Sequence, residues 1–198
     1  MKKVLFAVVF VALSANAAQA VPITYTVVLS GANEVPAVPT TGTGSATITY
    51  DAVTHLLGLD IIFANLVSPT TASHIHCCAV QPGNNAGVAT TTPTFAGFPL
   101  GVTSGTYVNT LNLTLASSWN PAFITSVFAG GTVAGAEAAL ANALANNLAY
   151  LNIHTVLNGG GEIRGPIAPV PEPTSLLLLG TGAAGLIARA RRRRSPRA

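Results

Sequence analysis

Short runs of alternating apolar and polar residues recur along this chain and restrict it to β-structure. In ITYTVVL, Tyr25, Val27 and Leu29 fall on one face. Ala46, Ile48 and Tyr50 do so in GSATITY. In LLGLDIIF, Leu57, Leu59, Ile61 and Phe63 alternate with Gly58, Asp60 and Ile62. Further on, Leu111, Leu113 and Leu115 alternate with Asn112 and Thr114. A period of two turns one set of side chains inward and the other outward, and the Gly, Pro and Asn between the runs supply turns. The pattern predicts an all-β fold, an antiparallel β-sandwich or barrel.

One stretch breaks the period. TVAGAEAALANALANNLA (132–149) is dominated by Ala and Leu, with Leu140, Leu144 and Leu148 on one helical stripe. It predicts a short helical insertion around 132–148 between late strands. Asn120-Pro121 predicts a helical turn before it, with Pro at the first helical position. Residues 81–105 read as loop, with Val88–Thr91 as a short strand within it.

Both ends carry processing signals. MKKVLFAVVFVALSANAAQA has two lysines, an apolar run and a small-residue site at Ala18-Gln19-Ala20, so residues 1–20 read as a secretory signal peptide. The apolar run is too short for a bilayer core of about 30 Å. At the other end, Pro171, Glu172 and Pro173 precede an apolar stretch, Leu176 to Ala188, and then an arginine cluster. The stretch predicts a short transmembrane helix, with its arginines held on the cytoplasmic side. This leaves residues 21–168 as one domain outside the cytoplasm and 169–198 as a sorting segment.

Charge narrows the function. The cations sit at the chain ends, and between residues 21 and 170 Arg164 stands alone against Glu34, Asp51, Asp60, Glu137 and Glu162. A net acidic domain with one cation lacks the basic surface that nucleic acid requires. There is no Ser-His-Asp or paired-carboxylate pattern, so the expectation is that the protein is not an enzyme and has no catalytic residues.

The chemistry-bearing residues fall in three short segments. In TASHIHCC, strand alternation turns His74 and His76 to one side and Ile75 and Cys77 to the other. In AYLNIHT, Tyr150, Asn152 and His154 share a face. In GEIRGPI, Glu162 and Arg164 do. Two readings follow: these are solvent faces of strands whose isoleucines fill the core, or they converge. A His-x-His pair with a third histidine suits copper or zinc, so His74, His76 and His154 are the candidate metal ligands. His55 opens another strand and reads as incidental. Cys77 and Cys78 are a vicinal disulfide, a soft ligand or free thiols, and the exported compartment permits the first. Arg164 needs a carboxylate, and Glu34 is the candidate for a structural ion pair.

The blocks LSGANEVPAV, ASHIHCC, AYLNIHT and GGGEIRGPI, in this order over residues 23–167, resemble the chordin-type (CHRD) domain. The resemblance implies an extracellular β-sandwich, immunoglobulin- or superoxide-dismutase-like, with no catalytic residues. The His-Ile-His strand is similar to that of Cu,Zn superoxide dismutases, but this chain lacks the histidines and the aspartate of a two-metal site. The tail resembles the PEP-CTERM sorting signal of Gram-negative bacteria, which implies processing by an exosortase-type membrane protease. It also implies membrane contact through the C-terminal segment before processing. The combined expectation is an exported, non-catalytic module of the cell envelope, outer surface or extracellular matrix with no cofactor, partnered by an extracellular polysaccharide or protein. The alternative is a copper- or zinc-binding protein built on the His-x-His strand.

Overall fold

The computed structural model describes residues 21–169. The signal peptide, the sorting motif Pro171-Glu172-Pro173 and the expected membrane stretch 176–188 lie outside them. Among the described residues no helix is long and apolar enough to cross a membrane.

Eight strands form one antiparallel sheet. They are β1 (Ile23–Ser30), β2 (Thr43–Asp51), β3 (Leu56–Ala64), β4 (Thr70–His76), β5 (Gly105–Asn112), β6 (Tyr150–Thr155), β7 (Ile163–Pro166) and β8 (Ala168–Pro169). Their order is β4-β6-β7-β1-β2-β3-β5, and β8 pairs with the other end of β1. The sheet curls so that inward side chains from both halves meet in one core. Tyr25, Val27, Leu29, Ile48, Leu59, Ile61 and Phe63 come from one half, and Ile75, Leu151, Ile153 and Ile163 from the other. The all-β, sandwich-like expectation holds.

The two halves differ in burial. β1, β2 and β3 alternate buried with exposed residues, as the period-two runs require. β6 is buried at every position, and so are the last four residues of β4 and the first three of β7. Both faces of that half are covered, and one of those faces is polar.

Helix α2 (Val133–Ala145) covers the core with Leu140 and Leu144. Thr132 caps it, accepting from the Gly135 amide. Helix α1 (Pro121–Ile124) begins where Asn120-Pro121 predicts, with the Asn120 side chain accepting from the Ala122 amide. Two details differ from the sequence pattern. β5 stops at Asn112, where the chain turns into a 3-10 turn at Ala116–Ser118, so Leu115 is exposed rather than inward. Val88–Thr91 makes only isolated bridges, His76 to Val88 and Thr90 to Trp119, and is no strand.

The seam between the halves is narrow: Ser30 pairs with Arg164 where β1 meets β7. Gly165 makes this approach close, because a Cβ there would overlap the Val28 carbonyl oxygen and come within 2.7 Å of Val27 Cγ1. Gly165→Ala is therefore expected to cost about 1–3 kcal/mol of unfolding free energy, read from the denaturant midpoint. Gly160→Ala, which meets nothing within 4 Å, should stay within about 0.5 kcal/mol of the parent. Equal stability of the two variants would show that the seam is not tight.

Candidate metal centre

β4 and β6 pair directly, with Ala72 opposite His154, His74 opposite Asn152 and His76 opposite Tyr150. His74 and His154 are thus diagonal neighbours on one face, and the small Ala72 leaves the His154 ring room to lean toward His74. The three imidazoles form a triangle, with ring centroids 5.1, 5.7 and 5.8 Å apart. Each offers one ring nitrogen such that the three lie within 4.8 Å of one another. The structure brings the three predicted ligands together.

It does so under cover, which corrects the solvent-face reading. His74, His76 and His154 are each less than a tenth exposed, as are Asn152, Glu162 and Arg164. The segment read as loop supplies the lid. It lies along the free edge of β4: the Cys77 amide donates to Gly87 O, the Ala89 amide to Ile75 O and the Phe95 amide to Ser73 O. The same segment reaches the imidazoles. His74 Nε2 lies 2.6 Å from Pro93 O, and His76 Nδ1 lies 3.0 Å from Ala86 O. His154 Nδ1 meets Gly159 O at 3.0 Å, from the β6–β7 turn.

These three carbonyls fix the tautomers. A carbonyl oxygen only accepts, so each ring nitrogen facing one carries the proton. Burial holds all three pKa values below the ordinary histidine range, His76 at about 4, so the rings are neutral at pH 7. A neutral ring with one protonated nitrogen leaves a lone pair on the other: His74 Nδ1, His76 Nε2 and His154 Nε2. His74 Nδ1 and His154 Nε2 face each other at 3.3 Å, and His76 Nε2 is buried without a partner. Two lone pairs at that separation repel unless a cation lies between them. Metal–nitrogen bonds of about 2.0–2.1 Å at a tetrahedral angle place their nitrogens roughly 3.3 Å apart. The donor set fits copper or zinc, and the carbonyls provide the outer hydrogen bonds that such ligands require.

The other predicted residues take different places. Cys77 and Cys78 are joined to each other as a disulfide, their sulfurs 3.9 and 3.7 Å from the Ala139 carbonyl oxygen of α2. They face the helix, so the soft-ligand reading is overturned. Glu34 and Arg164 do meet, at 3.9 Å between Oε2 and Nε. The guanidinium, however, gives its hydrogen bonds to neutral acceptors: Asn33 O, Asn85 Oδ1 and Gly83 O. It also lies 4.5 Å over the Tyr150 ring. Glu162 faces away from the histidines. It accepts from Thr40 Oγ1 at 2.6 Å, the Val67 amide at 2.7 Å and Thr155 Oγ1 at 2.7 Å. Burial pushes its carboxyl up, but these donors together hold it below the usual range.

His55 is not incidental. Its Nδ1 lies 2.9 Å from Glu137 Oε2, and the Tyr50 hydroxyl donates to Glu137 Oε1 at 3.0 Å, tying α2 to β2 and to the β2–β3 turn. No spacing in the sequence links residues so far apart. The carbonyls of Ala86, Pro93 and Gly159 were equally invisible, because any residue provides one.

A family model for the CHRD domain matches residues 25–167, and one for the PEP-CTERM protein-sorting motif matches residues 169–194. The chain belongs to the CHRD domain family. The sorting motif makes this CHRD protein an exported one, processed by an exosortase, a membrane protease, and anchored at or released to the cell envelope. No curated protein and no solved structure matches the chain.

Glu34 gives the site region a pH signature. Burial pushes its carboxyl up from 4.5 to about 7, with Arg164 offsetting only part of the shift. A folded pKa above the unfolded one means the folded state holds the proton more tightly. That stabilisation is complete below pH 4.5 and is lost as pH rises through about 7. Glu34→Gln carries no such proton. Urea unfolding of the variant and parent should therefore diverge in the variant's favour as pH rises from about 5 to about 8. The difference between the two chains cancels the histidine titrations common to both. A difference that stays flat would mean Glu34 is ionised throughout.

Proposed function

We propose that this CHRD domain is a non-catalytic module of the cell envelope or extracellular matrix that holds one copper or zinc ion on His74, His76 and His154. One observation carries the reading. Three neutral imidazoles, each with its N–H fixed by a backbone carbonyl, bring one ring nitrogen apiece within 4.8 Å of one another, and the free lone pairs of His74 and His154 face each other at 3.3 Å. A hydrogen-bonded core network would instead use those nitrogens, and a solvent face would leave them in water. Neutrality at pH 7 removes proton competition for the metal. Burial of all three rings supports holding an ion rather than presenting an open coordination face to a substrate.

Metal analysis and thermal melting of the purified protein test this. One equivalent of copper or zinc per chain is expected, and saturating ion should raise the melting temperature by on the order of 5 °C. His154→Ala should abolish the shift, while His55→Ala should retain it. Failure of both ions to bind or to shift the melting temperature would remove the metal and leave the exported module without one.

A further inference from the structure

Arg164 is the sole cation among the described residues, and it is buried, 3 % exposed. Burying a guanidinium is costly unless its charge is matched. Here the match is poor. Its nearest carboxylate, Glu34, stands at 3.9 Å without a hydrogen bond between them. Of its five N–H groups, three donate to neutral oxygens and two have no protein acceptor.

The same side chain lines a half-enclosed pocket of about 150 Å³ on the surface of the domain. That volume equals the cavity known to take one benzene ring, so the space is that of one six-membered ring. Its other walls combine amides with small apolar groups: Asn33, Asn84 and Asn147 on one hand, Leu148 and Ala149 on the other. Asn147 carries a buried carboxamide oxygen with no partner. The Asn84 side chain lines the same pocket and is exposed. One cation, amides that both donate and accept, and an apolar patch form a donor–acceptor set that a simple anion does not use.

We propose that this pocket binds a ring-sized hydroxy carboxylate, a uronic acid residue, with its carboxylate on Arg164 and its hydroxyls on Asn84 and Asn147. The carboxylate supplies the missing charge in bidentate geometry. The hydroxyls donate to and accept from the two amides, and the C–H face of the ring covers Leu148 and Ala149. Among the described residues Arg164 is the one Lys or Arg side chain, so a ligand carboxylate finds a fixed positive charge in this pocket. The proposal stands apart from the metal reading, because none of the three histidines lines the pocket.

Titration calorimetry of the purified full chain with glucuronate, glucose and acetate tests it. Glucuronate should bind, and glucose and acetate should each bind at least about tenfold more weakly. Arg164 is unsuited to substitution, since its loss would strand Asn33, Gly83 and Asn85. Asn84→Ala changes an exposed side chain, and Asn147→Gly keeps the positive φ of 58° that Asn147 adopts. Each should weaken glucuronate about tenfold with the melting temperature preserved. Acetate binding as well as glucuronate would overturn the proposal in favour of a bare anion site. Glucose binding as well would show that the carboxylate is not read. No glucuronate heat, or binding undiminished in both variants, would also overturn it.

Discussion

Covering both faces of β4, β6 and β7 is the constraint on which the rest of this structure depends. A strand with one wet face can put any polar residue there. A strand buried on both faces must find a partner for each polar atom, or carry the cost of leaving it unpaired. The chain meets most of this demand with backbone oxygens. The segment 86–95 seals the free edge of β4, which would otherwise be an open template for pairing, and presents Ala86 O and Pro93 O to the imidazoles. One irregular segment thus closes the sheet edge and sets the tautomers. It could not be a regular strand and do both, because its carbonyls turn toward side chains rather than along a ladder.

The atoms left over are informative because so much else is satisfied. Among the described residues the unpaired buried polar atoms include His76 Nε2, Glu34 Oε1 and Asn152 Oδ1. All three belong to the polar half of the sheet or to the turn packed on it. Glu34 Oε1 and the Asn152 carboxamide both crowd the position where a Cβ on Gly161 would stand, and Gly161 adopts φ +128°, a conformation open to glycine. Such orphans at a cluster of imidazoles mark where folding has yielded to another requirement.

The apolar framework was legible in the sequence because its signal is local. Tyr25, Val27 and Leu29, or Leu57 through Phe63, announce their face through period alone, and the Ala-Leu run of α2 announces a helix the same way. The convergence of His74, His76 and His154 was half legible. Alternation gave each face, but not that β4 and β6 would be neighbours or that both faces would be covered. The solvent-face reading failed because burial of a polar face depends on what lies over it, and the covering segment has no period to read. Leu115 was misplaced for a related reason: the alternation runs on, while the Asn112 side chain accepts from the Thr114 amide and hydroxyl and turns the strand away. His55 and Glu137 were missed because their contact joins elements 82 residues apart.

Arg164 connects the parts of the polar half. Its guanidinium lies over one face of Tyr150 at 4.5 Å, and the His76 ring stacks on Tyr150 at 4.7 Å with the planes 8° apart. The phenol hydroxyl meets the Ala86 carbonyl that also holds His76 Nδ1. A fixed positive charge in this position opposes a second one nearby, and it adds to burial in holding His76 neutral. Had Glu34 taken it in a close bidentate pair, the charge felt at His76 would be smaller, and protonation of that ring easier. The loose 3.9 Å contact and the neutral acceptors around the guanidinium leave its field intact. Burial is the main cause that keeps His76 neutral, and His154, His74 and Arg164 add to it in that order.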